Sequence, residues 1–428
     1  MDGAEVEIAR ILLLIQIERY GSKDAKPLPQ LFRRMRKQTL NLEKSLQKYA
    51  DYNWIWQLQA VSRNHGAVRS VSRLLEHFLR SEVSRDTSSQ MYQAWMRELE
   101  RLDKSYIDLV AVKDLLPSTN AIFAVYAFGF HSLLPEWWNS YTKVTVTNEQ
   151  GLDGLAIAAR YNHVDLCRAL VNKGSDVNRS LRNGKTSALQ EAISEGSVEA
   201  LEFLLSESSH PPFNGEQAVS CAAKSRRMVE MLLDRKMDPN ARCVGCEFSC
   251  ALAKAAYFGD TEVARLLIGR GADVNFPAGD GDLYGSPLAA AVRGGHVEAM
   301  KLLIDHGADV NAPLKHGGYG SALAAAAEGL GGVEVIKLLI EHGADVNAPL
   351  EYGDFGSALA AALFARSDAL PKVKYLVEEA QADPSLPDSN PPTATAEELV
   401  DEENQQAARY LAQQCNVKSD TIEKHFQL

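Results

Sequence analysis

GADVN stands at Gly271–Asn275, Gly307–Asn311 and Gly343–Asn347, each copy 36 residues from the next. Weaker copies are GSDVN (Gly174–Asn178), KMDPN (Lys236–Asn240) and QADPS (Gln381–Ser385). Each copy follows an apolar helical stretch such as VEAMKLLIDH or VEVIKLLIEH. Roughly 20 residues before each lies a helix of small residues, such as PLAAAVRGG or ALAAAAEGL. A period of this length means a helix-loop-helix-loop unit that buries no apolar face alone and must stack on its neighbours. The alanines of the first helix allow close approach, and the Leu-Leu pair of the second fills the space between units. The glycine after each second helix suits a left-handed C-cap. Asp-x-Asn can satisfy the following turn locally.

These features together resemble the ankyrin repeat family: the AL..A start, the GHVE turn at Gly295–Glu298 and the LLI..GADVN end, over residues 119–414. The spacing of 36 exceeds the family's usual 33. The excess falls between GADVN and the next G-S-x-L, in the inserts FPAGDGDLYGSPL, APLKHGGYGSAL and APLEYGDFGSAL. The resemblance implies an all-α ankyrin-repeat solenoid with β-hairpin finger loops, preceded by an α-helical domain. It also implies a protein-binding face made of fingers and first helices. The candidates on the fingers are Asp282, Leu283, Tyr284, Lys315, His316, Tyr319, Tyr352, Asp354 and Phe355. Those on first helices are Tyr257, Arg293 and Glu328, aromatics and arginine being enriched at interface hot spots. The competing role for Tyr284, Tyr319 and Phe355 is a stacking ladder that only stiffens the loops.

One stretch, RNGKTSAL at 182–189, raises the question of a phosphate-binding loop. Such a loop needs glycine five residues before the Gly-Lys pair, and that position is Arg179. Gly184–Leu189 instead aligns with the YGSPL and YGSAL starts of later units, which makes Lys185 a solvated loop residue. No nucleotide and no other cofactor is expected.

The remaining regions set the expected domains: helical residues 1–114, a repeat array with degenerate capping repeats over 115–416, and a tail over 417–428. Residues 119–141, TNAIFAVYAFGFHSLLPEWWNSY, look like a degraded first unit. Its Trp137 and Trp138 are expected to form a domain junction with Met91 and Trp95 of the late N-terminal helix. MYQAWMRELE, NAIFAVYAFGF and the GGYGSAL loop are also loosely similar to the C-terminal part of fungal NACHT-ankyrin proteins. No Walker motif is present, so the resemblance extends to no NTPase. RRMRK (Arg33–Lys37) is the one dense basic cluster; it reads as a helix face, with nuclear import as the other option.

Charge and chemistry narrow the function. The net charge is −11. Residues 1–110 carry +4 and the remainder −15, and an acidic body favours a basic partner over nucleic acid or anionic lipid. The apolar run Ile11–Ile17 is too short to span a bilayer. Six cysteines without a secretory signal suggest a reducing compartment. Cys243, Cys246 and Cys250, with Cys221, fall short of a complete zinc set, so no metal is expected. His163, His296, His306 and His342 follow the repeat and read as structural. The expectation is a cytoplasmic, optionally nuclear, adaptor or regulatory scaffold that binds another protein, not an enzyme. The alternatives are an enzyme with a pocket between the helical domain and first repeats, or a nucleic-acid-binding regulator.

Overall fold

The computed structural model describes residues 55, 58, 69–80, 87–101, 112–141, 143–182, 184–208, 218–243, 247–277, 279, 283–383 and 402–414. The chain divides into two units, Met1–Phe213 and Asn214–Leu428.

The first unit begins, among the described helices, with α1 (Arg69–Leu79) and α2 (Gln90–Arg101). Ser89 caps α2, its Oγ accepting from the Tyr92 amide at 3.0 Å, as Ser, Thr, Asp and Asn do at helix starts. There follow α3 (Ile122–Phe128), α4 (Pro135–Ser140), and two helix pairs: α5 (Gly154–Arg160) with α6 (Val164–Asn172), and α7 (Ala188–Glu195) with α8 (Val198–Glu207). Helices α3, α5 and α7 pack in sequence.

The second unit continues the pairing. It contains α9 (Ala218–Ala222) and α10 (Arg226–Asp234), α11 (Ala251–Tyr257) and α12 (Thr261–Gly269), then α13 (Pro287–Gly294) and α14 (Val297–Asp305). Next come α15 (Ala322–Glu328) and α16 (Val333–Glu341), then α17 (Ala358–Leu363) and α18 (Ala369–Lys374). Helix α19 (Glu402–Gln414) packs on α17 and α18.

Local chemistry sets each boundary. Ser187, Ser286, Ser321 and Ser357 cap the first helix of their units by accepting an amide three residues on, at 3.1–3.3 Å. Cys250 takes the same place, with its Sγ 3.4 Å from the Ala253 amide. First helices are buried all round, as in Ala289–Ala291 and Ala324–Ala327, while second helices bury pairs such as Leu302–Leu303 and Leu338–Leu339. His306 and His342 donate Nδ1–H to carbonyls four residues back, at 2.8 and 2.7 Å.

The GADVN motif works across repeats as well as within them. Asp273 Oδ1 accepts the Asn275 amide at 2.9 Å, which closes the local turn. Asn275 reaches the next repeat: Nδ2 donates to Gly307 O (2.9 Å) and Oδ1 accepts the Asp309 amide (2.8 Å). Asn240, Asn311 and Asn347 repeat both bonds, forming a chain of side-chain bridges from Asn240 to Asp383.

The expected β-hairpin fingers are absent. The described residues contain no β-strand, only isolated bridges such as Leu181–Thr186 and Leu314–Gly320. The reason lies in the glycines. Gly317, Gly318 and Gly320 all adopt φ between 76° and 90°, so the chain turns too often to extend into a strand. The loops stack on one another through single bonds, as from the Asp354 amide to Gly318 O (2.8 Å), and through close backbone contact. A Cβ on Gly320 would stand 2.2 Å from Tyr352 O.

Candidate functional site: a loop face of rings and cations

Two residues before each cap serine or cysteine of the second unit stands an aromatic: Phe248, Tyr284, Tyr319 and Phe355. Their positions are fixed from below by the capped first helix and from the side by the glycine-stacked loops. Phe248 and Tyr284 stack at 5.1 Å with 19° between planes, and Tyr257, at the end of α11, tilts against both at 5.2 and 4.8 Å. Burial and the neighbouring Tyr257 push the Tyr284 hydroxyl well above the usual tyrosine range. Beside them Phe258 is 49% exposed and Leu283 51%.

Further along, the rings part. Arg293 lies 4.9 Å over the Tyr319 ring, and Phe355 pairs with Phe364 at 5.8 Å. No ring contact links Tyr284 to Tyr319 or Tyr319 to Phe355 among the described residues. Buried Glu328 accepts from Arg293 Nη1 at 2.6 Å and from Arg366 Nε at 2.9 Å. Desolvation pushes the Tyr319 hydroxyl up, with Arg293 opposing it. Lys315 sits 5.8 Å from the Tyr352 ring centre, and the Asp354 carboxylate lies against Gly318. His316 contributes its carbonyl to the close approach with Gly285. Asp282 lies outside the described residues. The residues not singled out from sequence are Phe248, Phe258, Phe364, Arg366 and Lys224. Phe248 was recoverable, because EFSC aligns with LYGS. Arg366 was not, because FARSD departs from the repeat.

The first unit holds a different arrangement. Arg160 donates Nη1 to Asp114 Oδ2 at 2.6 Å and Nε to Glu191 at 3.0 Å, with a second bond from Nη2 to Glu191. Tyr161 and Thr186 hydroxyls donate to the same two carboxylates at 2.7 Å each. Asp114 is fully buried. Met91, Trp95, Trp137 and Trp138 are all buried in this unit. Trp95 contacts Phe78 and Phe128 at 6.0 and 6.5 Å, Trp137 lies beneath Arg80 at 5.7 Å, and Trp138 meets His131 at 5.5 Å. The side chain of Leu99 lies outside the described residues. A cleft of about 430 Å³ opens beside these residues, lined by Phe128, His131, Asn162, His163, Asp165 and Glu199 among others. Burial lowers the His131 imidazole below its ordinary value, against the pull of Asp165.

The Gly184–Ser187 run is a turn and a cap: Lys185 is exposed, Thr186 bridges to Leu181, and Ser187 starts α7. Arg179 bonds Thr145 O at 2.9 Å. Cys243 is disulfide-bonded and Cys221 is exposed. Cys246 and the RRMRK cluster lie outside the described residues. Among the described residues no group of three or more His, Cys, Asp or Glu could hold a metal, and no helix is long and apolar enough to cross a membrane.

Paired helices, Ala-rich inner helices and stacked loops define a helical repeat protein of the ankyrin type. The ankyrin repeat family, as three-copy blocks, matches residues 122–212, 155–243 and 252–349, which is more than half of the chain. The chain belongs to the ankyrin repeat family. It is 32% identical over 155 residues to the ankyrin repeat and KH domain-containing protein mask-1 of Caenorhabditis elegans. It is 28% identical over 148 residues to ankyrin repeat and KH domain-containing protein CBG24701 of Caenorhabditis briggsae. These matches cover 35% and 34% of this chain but only 6% and 5% of those proteins. The human ASB11 ankyrin repeat domain aligns with 52% of this chain and 96% of its own, at 24% identity and a TM-score of 0.43.

Proposed function

We propose that the loop face of the second unit binds another protein and that the chain acts as an adaptor or regulatory scaffold. The fold is one typical of protein-interaction scaffolds. The observation that carries the reading is the exposed apolar pair Phe258 and Leu283 beside Phe248, Tyr257 and Tyr284. Half-exposed apolar side chains gathered around rings mark recognition sites on soluble proteins. The finer placements belong to the same proposal: a helical domain over 1–114 that supplies a second contact surface, a setting in fungal signalling or defence, and a cytoplasmic or nuclear location. They rest on the sequence alone.

The test is partner capture by crosslinking and mass spectrometry in the native host, comparing the natural chain with a Leu283→Ser, Tyr319→Ala, Phe355→Ala triple variant. The variant should lose the captured partner and keep its circular dichroism spectrum. Unchanged capture by a folded variant places the contact elsewhere. Unfolding would assign the rings to loop stiffening instead.

A further inference from the structure

Several cations on this face are seated against rings. Lys224 Nζ lies 5.0 Å from the Phe258 ring centre, Arg242 lies 5.0 Å from Phe276, and Lys315 lies 5.8 Å from Tyr352. None of the three makes an ion pair among the described residues. At the far end one buried carboxylate, Glu328, serves two guanidiniums, Arg293 and Arg366.

Arg366 is held in an unusual way. Its Nε donates to Glu328 Oε1 at 2.9 Å, and its backbone amide donates to Glu328 O at 3.1 Å. Among the described residues neither terminal nitrogen has an acceptor, on a side chain that is 58% exposed. A guanidinium fixed through Nε presents its terminal N–H groups as a planar fork that matches a carboxylate. Its entropy is already spent on Glu328, so an incoming acid meets an oriented donor. Phe364, two residues before Arg366 in the chain, pairs with Phe355 and offers an apolar surface close by. Asp354 lies against Gly318, and among the described residues neither it nor Glu351 nor Asp368 makes an ion pair with Arg366. Beyond about 8 Å physiological salt screens the chain's overall negative charge, so the nearest groups decide.

We infer that this face receives an extended acidic segment of a partner protein, with Arg366 anchoring one Asp or Glu side chain that stands next to an apolar residue. The inference rests on the protein-binding reading above and specifies the partner's chemistry.

Random dodecapeptides displayed on phage and selected against the full chain test it. Enriched sequences should place Asp or Glu beside Leu, Ile or Phe. Synthetic copies should bind an Arg366→Glu variant about tenfold more weakly or worse, the scale of a charged hydrogen-bonded pair, and an Arg366→Lys variant at an intermediate level. Circular dichroism of both variants should be unchanged. Enrichment of basic peptides, or of nothing, overturns the inference. So does equal binding to Arg366→Glu, or binding only when the acid is replaced by phosphoserine. If the peptides also ignore the Leu283→Ser, Tyr319→Ala, Phe355→Ala variant, the protein-binding face itself is wrong. If they respond to that variant but not to Arg366, only the anchor fails.

Discussion

Both units place a guanidinium at the end of a first helix, and they treat it oppositely. In the first unit Arg160 sits between Asp114 and Glu191 with every partner buried. In the second, Arg293 occupies the equivalent place, but its carboxylate Glu328 is shared with the exposed Arg366. Buried charges held this way fix one arrangement of the chain, because losing a partner strands the others in low dielectric. A shared, half-open pair leaves hydrogen-bonding capacity for something outside the chain. The first unit spends its arginine on holding itself together, whereas the second keeps a donor in reserve.

The comparison is most exposed to a deletion at these two sites. Arg160→Ala should destabilise the first unit by about 3–5 kcal/mol, since it orphans two buried carboxylates. Arg293→Ala should cost only about 1–2 kcal/mol, because Glu328 keeps Arg366. Native-state hydrogen exchange on the full chain reads each unit separately, and equal costs would erase the distinction. The loops offer a second contrast. Gly320→Ala forces a Cβ to 2.2 Å from Tyr352 O, so it should cost about 3 kcal/mol and loosen the neighbouring loop. Gly196→Ala in the first unit shares φ 76° but meets nothing within 4 Å, and should cost about 1 kcal/mol.

Smaller effects sharpen the picture. Asn311→Ala removes two bonds to the next repeat and should cost about 2 kcal/mol by urea unfolding. Asn178→Ala, whose side chain among the described residues accepts only the Ser208 hydroxyl, should cost about half that. The least is expected from pH. The folded His131 prefers its neutral form, so its contribution is present above the unfolded value of about 6.5 and is lost as pH falls through the lower folded value. Melting of the first unit should therefore drop by a degree or so between about pH 7.5 and 5, and His131→Gln should flatten that slope. An unchanged slope in the variant would assign the pH dependence to other groups.

Much of this was legible in the residues. The 36-residue period placed the helix pairs, and the glycine that opens GADVN placed their C-terminal ends. Cys250 aligns with Ser286, Ser321 and Ser357, and like them it caps a first helix. What escaped depends on contacts far apart in the chain. Asp-x-Asn looked like a local turn device, yet only its aspartate side chain acts locally; the asparagine side chain bonds 31 to 36 residues away. The inserts implied hairpins because they fall where the ankyrin family places its finger loops, but glycines within them such as Gly317, Gly318 and Gly320 hold φ values that no strand holds. Arg160 and Asp114 are 46 residues apart, and no repeat pattern connects them. Arg366 stands where the motif breaks down, so alignment gave it no role.

The asparagine chain has a mechanical consequence. Each Asn ties its repeat only to the one that follows, so a pull on one end of the second unit loads these links in series. Rupture should then start at the Asn347–Asp383 link and run inward, one repeat at a time. Each 36-residue repeat that lets go would add roughly 12 nm of slack at full extension. In an optical trap the force trace should be a sawtooth of near-equal teeth, and a single cooperative rip would mean that the Leu-Leu seams, not the asparagines, bear the load.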